Sequence, residues 1–390
     1  MRDFNFILKI CDDLAEQFAK TADQHDRDGS FAYENAEAMR AAGLSKLCVP
    51  VECGGDGLNV LQVAQVLIAI AHGDASTALG LAMHLHVTGQ AAEQHIFTLD
   101  VTARLWQECV ERGIFVNSVA SEPEMGSPSR GGLPTTTAAP VTGEGGGFVV
   151  NGRKSWVTYA PALDYFFTTV TIRDGDQEPS AAVLAISGKA SGIELINNWG
   201  NEAIALRASG SCDVIFKNVF VPVHWLLEKR EPGQVRSSKL PPGWSGIAFA
   251  SVYLGVGEAA VRAVAHYAKQ RVPSALGKPI AELPHIQRNI GQMQVLLTAA
   301  KSVLFDVARK WAEHPDCRTN MDAELAAAKY LCTNAAIQST DIALRTAGAS
   351  GLDRRLPLER LLRDARAGLM HPPQDEVALE LIGRREIKRD

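Results

Sequence analysis

The chain has 390 residues, 46% of them hydrophobic and 21% charged, with a formal net charge of −5, enough for two or three domains with their own cores. A mildly acidic balance without a long basic run argues against nucleic acid as a partner, and no apolar run reads as the roughly 20 residues a membrane helix needs. Acidic residues arrive too early for a signal peptide, and the seven cysteines show neither C-x-x-C pairs nor zinc-ligand spacing, so the expectation is a cytoplasmic protein with reduced thiols and no metal.

Residues 1–115 read as a helical domain, with apolar residues at helical spacing over Phe31 to Ala42 and Val60 to Ala71 and glycines between. From 116 to 230 the texture changes to short runs rich in Val, Ile, Phe and Thr, among them Gly147 to Val150, Tyr165 to Ile172 and Asp213 to Phe216. Turn residues bound them at Gly145 to Gly147, Asn151-Gly152 and Asp174-Gly175, which predicts a central antiparallel sheet or small barrel. Residues 231–390 open on a stretch to 243 with three prolines and two glycines, a linker into a C-terminal four-helix bundle. There Ile286, Ile290, Met293, Leu297, Ala300, Leu304, Val307 and Trp311 alternate spacings of four and three, the packing seam of a long helix. Leu325, Ala328, Cys332, Ala335, Ser339 and Ile342 repeat that seam with mostly small residues. The fold class is therefore α+β: N-terminal helical domain, central antiparallel β domain, C-terminal helical bundle.

Two motifs in the β region carry chemistry: the loop Ser121-Glu122-Pro123-Glu124-Met125-Gly126-Ser127, and the run Gly147 to Thr158, which ends Lys154-Ser155-Trp156-Val157-Thr158. Together they resemble signatures of the acyl-CoA dehydrogenase superfamily, and the resemblance extends over nearly the whole chain. It implies a flavoprotein oxidoreductase holding FAD, with FMN as the alternative, and places Ser121, Ser127, Trp156 and Thr158 at the flavin ring. The residue types suit that role without the family, because an isoalloxazine needs a flat apolar wall and hydrogen-bond donors at its polar edge. Taken alone, Trp156 reads as a core aromatic and Thr158 as a strand filler.

The resemblance also covers Arg271, Gly277-Lys278-Pro279-Ile280 and Gln287, together with the Gly-rich turn that begins at Gly348. In relatives that bind FAD this segment approaches the pyrophosphate and adenosine half of a neighbouring subunit's cofactor, which implies a homodimer or homotetramer. An arginine is apt there because its planar fork bonds phosphate oxygens in pairs. Arg207 resembles an arginine near the substrate mouth. His84 and His86 lie on a stretch whose family counterpart lines the substrate side; two residues apart, they cannot share one helix face. His84 is the candidate to point inward, against the plainer reading of a buried, satisfied histidine.

Where the superfamily usually carries its catalytic glutamate, in the segment from Arg363 to Pro373, this chain has Pro372 with His371 beside it. Removing the α-proton of a thioester needs a base, and proline is none. Some family members place the glutamate on the first bundle helix, but Gly246 to Tyr253 contains no carboxylate and Glu258 lies further along; Glu376 matches a non-catalytic glutamate. The run Pro357 to His371 instead resembles a branch of flavin monooxygenases fed by a partner reductase. That branch has a histidine here, near the flavin's reactive position or the substrate, so His371 is the candidate proton-handling residue. Three readings stay open: monooxygenase-type chemistry on a small organic or acyl substrate, an acyl-CoA dehydrogenase with a relocated base served by an electron-transfer flavoprotein, and an inert flavin-binding scaffold.

Overall fold

The computed structural model describes residues 1–124, 132–143, 145–175, 177–230 and 240–388. Six helices come first: α1 (Phe4–Phe18), α2 (Ala22–Asp28), α3 (Tyr33–Ala41), α4 (Val60–Ala71), α5 (Ala75–Gln94) and α6 (Leu99–Glu111). Side chains start three of them. Asp3 accepts from the Phe6 amide, Asn59 and Gln62 form a reciprocal capping box, and Asp74 accepts from the Ser76 and Thr77 amides.

The eight strands are β1 (Val116–Val119), β2 (Thr137–Val141), β3 (Gly147–Val157), β4 (Tyr165–Ile172), β5 (Ser180–Ser187), β6 (Ile193–Ile196), β7 (Cys212–Pro222) and β8 (Leu226–Lys229). They make one sheet in the order β6-β7-β3-β2-β4-β5-β8, with β1 also on β4. β4 is built from aromatic and β-branched residues and is buried at every position but Thr169, as befits a central strand covered on both faces. Most pairings are antiparallel, as expected. Two are parallel, because β1 and β2 lie end to end along one edge of β4: Val116 stands opposite Tyr165 and Thr137 opposite Thr171.

The expected turn at Asn151-Gly152 is not a turn. β3 runs straight through it, paired to β7 on both sides, and the irregularity between Val150 and Gly152 is a bulge in β7, where Asn218 and Lys217 together stand opposite Asn151. A β-carbon on Gly152 would stand 2.6 Å from the Thr136 backbone, so the glycine serves close approach of β2's leading residues.

The last five helices are α7 (Gly243–Gln270), α8 (Pro284–Glu313), α9 (Asp322–Ala347), α10 (Leu358–Ala367) and α11 (Asp375–Ile387). α7 is the axle of the molecule, packed against α4 and α5 from the N-terminal part and against α8, α9 and α10 from its own. By length and composition it could cross a membrane, which corrects the sequence expectation. However, 83% of its most apolar window is buried inside the bundle, so here it is a core helix. Glycine permits the close approaches: a β-carbon on Gly255 would lie 2.6 Å from that of Ala71. The seam read from sequence is the buried face of α8, from Ile286 through Met293, Leu297 and Leu304 to Trp311.

Candidate active site

The β-domain half of the site hangs on one buried ion pair. Glu122 and Lys154 are both fully buried and lie 2.7 Å apart. Glu122 also accepts from the Thr135 amide (2.6 Å) and hydroxyl (2.7 Å) and the Thr136 amide (3.0 Å). Burial pushes its pKa up, but Lys154 and the threonine donors outweigh that and hold it down at about 2. The carboxylate thus clamps the Ser121 loop to β3, and the Ser155 amide donates to the Ser121 carbonyl at 3.0 Å.

This clamp fixes the aromatic wall. A second irregularity in β3 falls between Lys154 and Val157, and Trp156 takes a left-handed φ of 56° within it. Regular alternation would put Trp156 and Thr158 on one face; the bulge separates them. Trp156 is 56% exposed, whereas Thr158 is buried, its hydroxyl 3.0 Å from that of Ser211, which is 2.8 Å from that of Ser209. Asn117 donates to the Thr158 carbonyl, and its own buried Oδ1 has no partner. An exposed indole on the same strand as a buried hydroxyl chain, with an amide oxygen unpartnered among the described residues, supplies residue types suited to a planar heterocycle with polar edges.

The second half lies where α7 meets the turn after α10. The Tyr253 hydroxyl and His371 Nδ1 are 2.6 Å apart, and the imidazole stacks on Phe249, centroids 4.5 Å apart and planes 16° from parallel. Tyr253 is wholly buried and its hydroxyl has no other partner among the described residues. It therefore donates to Nδ1, which leaves Nε2–H as the free edge of a half-buried ring. Burial, with the charge of Lys329 adding to it, lowers the His371 pKa to about 4, so the ring is neutral at pH 7. Pro372 beside it is exposed.

Residues 7–95, 118–219 and 243–387 match, in turn, the N-terminal, middle and C-terminal domains of acyl-CoA dehydrogenase. The chain belongs to the acyl-CoA dehydrogenase family. This makes it an oxidoreductase of a flavin-dependent family. Among its relatives, YdbM of Bacillus subtilis (strain 168), assigned by name as an acyl-CoA dehydrogenase, is 36% identical over 95% of this chain and 93% of its own. Dibenzothiophene monooxygenase of Rhodococcus erythropolis is 27% identical over 92% of this chain and 88% of its own. A solved structure of TdsC from Paenibacillus sp. A11-2 with FMN and indole superposes with a TM-score of 0.86 and 24% identity, covering 98% of this chain and 96% of that one. That likeness establishes the fold.

Of the other residues expected from the acyl-CoA dehydrogenase resemblance, Arg271, Gln287 and Gly348 gather at one end of the bundle. Arg271 follows α7, Gln287 opens α8, and Gly348 ends α9, whose Thr346 is bonded by Asn289 of α8 at 3.1 Å. All three are exposed, and the Arg271 side chain has no hydrogen bond or ion pair among the described residues. Gln287 Nε2 donates to the Ala281 carbonyl. Ser127 lies outside the described residues.

Arg207 faces its own loop, donating to the Gly200 carbonyl at 3.0 Å and to Asn201 Oδ1 at 2.6 Å. His84 is wholly buried with both ring nitrogens engaged, Nε2 with the Ser45 carbonyl (2.7 Å) and Nδ1 with the Val116 amide (3.2 Å), the satisfied histidine of the plainer reading. The neighbour His86 instead faces Phe249, centroids 6.3 Å apart, so the two histidines His86 and His371 flank one phenylalanine. The sequence reading that one of the pair turns inward named His84, whereas His86 is the one that faces Phe249. Glu258 is bound to His72 Nε2 (2.8 Å) and Lys301 Nζ (3.1 Å).

Proposed function

We propose that this protein is a flavin-dependent oxidoreductase whose chemistry is of monooxygenase type, acting on a small organic or acyl substrate. The observation that carries the reading is the pairing of Pro372 with a braced, neutral His371 whose Nε2–H is free. On this reading the chain presents a hydrogen-bond donor where α,β-dehydrogenation needs a carboxylate. Trp156, Thr158, Ser121 and Ser127 would hold the flavin ring. Arg271, Gln287 and the Gly348 turn would hold the cofactor's tail across a subunit boundary, which favours FAD over FMN. A bound flavin, kept reduced by a partner reductase, would supply the chemistry of dioxygen activation, with one oxygen atom going to the substrate and the other to water. His371 would present a hydrogen to the oxygen that leaves, and Tyr253 would hold its ring in the tautomer able to do so.

Assembly as a homodimer or homotetramer belongs to the same reading. The chain exposes 17631 Å², against about 15,000 Å² expected for a folded monomer of this mass. A second reading, dehydrogenation by a relocated base, is favoured by the name of the Bacillus relative. Its best base is Glu258. Burial pushes that carboxyl up, but the hydrogen bond from His72 and the charge of Lys301 outweigh this and keep it below its ordinary value, already committed to two partners. The deciding experiment mixes flavin-loaded protein anaerobically with butyryl-CoA, then supplies a flavin reductase, NADH and oxygen with indole or an acyl thioester. We expect no anaerobic bleaching and an oxygenated product. Rapid bleaching by butyryl-CoA would establish the second reading, and neither response would indicate an inert scaffold.

A further inference from the structure

The face that α9 turns toward α7 and α10 carries small and apolar side chains with one exception. Lys329 lies one turn after Leu325 and one turn before Thr333, fully buried, and its Nζ has no hydrogen-bond partner among the described residues. Its nearest counter-charge is Asp375 Oδ1 at 4.0 Å, an oxygen that is itself unpartnered while Oδ2 accepts from Asn334. The Thr333 hydroxyl, also buried, has no partner either.

These groups share a junction with the candidate proton donor. A β-carbon on Gly368 would lie 2.6 Å from Thr333 Cγ2 and 3.0 Å from the Tyr253 ring, so α9 and α7 are pressed together within three residues of His371. An ammonium withdrawn from water without a full set of hydrogen bonds is costly, and a leucine or methionine would fill the same space. Packing and hydrogen bonding thus give no reason for a lysine here. Its charge does.

Resting on the reading of His371 as the proton-handling residue, we propose that Lys329 is a positioning residue for the Tyr253–His371 pair. Its buried charge, partly balanced by Asp375, disfavours a second cation in the junction and so extends into the acid range the conditions under which Nδ1 stays an acceptor for Tyr253 and Nε2–H the donor. The other titratable groups around the imidazole are Tyr253 from α7, His86 from α5 across Phe249, and Asp375 from α11, with Asp364 of α10 acting on Tyr253. Burial brings the Lys329 pKa down to about 8, with Asp375 opposing, so the ammonium stays charged over the range in which His371 would take up a proton.

The test follows the ring carbon of His371 by NMR in the full-length, flavin-loaded protein labelled at histidine, the signal assigned with His371→Gln. Lys329→Met should raise the titration midpoint by about half a pH unit or more, and Asp375→Asn should lower it. A merely structural lysine would not give shifts of opposite sign. An unmoved midpoint in Lys329→Met overturns the inference; if that variant does not fold, a midpoint unmoved or raised in Asp375→Asn does. Because this readout needs no turnover, it is separable from the parent reading, which fails instead if His371→Ala leaves turnover intact.

Discussion

On the proposed reading the chemistry depends on two side chains, Trp156 and His371, and they are held in opposite ways. His371 is braced by a phenol and a stacked ring, so His371→Ala should leave flavin content unchanged. It should cut turnover by about 10²–10⁴, the span for losing a general acid or base, as steady-state assay beside the flavin spectrum would show. Trp156 is braced only by its backbone, in a conformation that costs a residue with a β-carbon about 1 kcal/mol. Trp156→Ala and Trp156→Gly should therefore weaken flavin alike, by about 1 kcal/mol or more for the lost ring face. Against the usual order, the glycine variant should be the more stable to urea, and equal flavin affinity in wild type and variants would remove this strand from the site.

At the scale of elements, what could be read in advance follows period and composition. α4 spans Val60–Ala71 and β4 spans Tyr165–Ile172, as the runs suggest, because each is one unbroken signal. The errors come where one residue type serves two geometries: Asn-Gly marks a tight hairpin or, as at Asn151-Gly152, a point inside a strand opposite a neighbour's bulge. Lys329 was illegible for another reason, since a lysine at an apolar spacing reads as a solvated break in the seam. The two unread lysines, 154 and 329, prove to be fully buried. Lys154→Met should leave Glu122 buried without its cation, costing about 3–5 kcal/mol and loosening the Ser121 loop. Urea unfolding with limited proteolysis would check this, and a double variant with Glu122→Gln should recover part of the loss.

Over the whole molecule, stability against pH is a difference between opposed titrations. Burial lowers the His84 pKa from 6.5 to about 4, so as pH falls below 6.5 the unfolded chain takes up this proton first and stability is lost down to about pH 4. Asp364 runs the other way: burial raises its pKa from 3.8 to about 7, so the folded state binds that proton first and stability is gained between about pH 7 and 4. His86 and His371, lowered by burial to about 4 like His84, add to its side, so the histidines outweigh this carboxyl and the wild type should lose stability on acidification. His84→Gln removes one of the three histidine contributions. Between pH 6.5 and 4 the wild type should lose up to about 3 kcal/mol relative to that variant, measured by urea denaturation at several pH values.

The position of α7 at the centre of the fold sets the order in which the chain can be completed. Its residues are synthesised by 270, but α9, the later helix it packs against most extensively, ends at 347. At about 5–20 residues per second, that is roughly 4–15 s during which a helix apolar enough to enter a membrane is covered by α4 and α5, and then α8, but not yet by α9. A chain terminated after Gln270 should accordingly be captured by chaperones or aggregate more than one terminated before Gly243, as sedimentation of the two nascent products would distinguish.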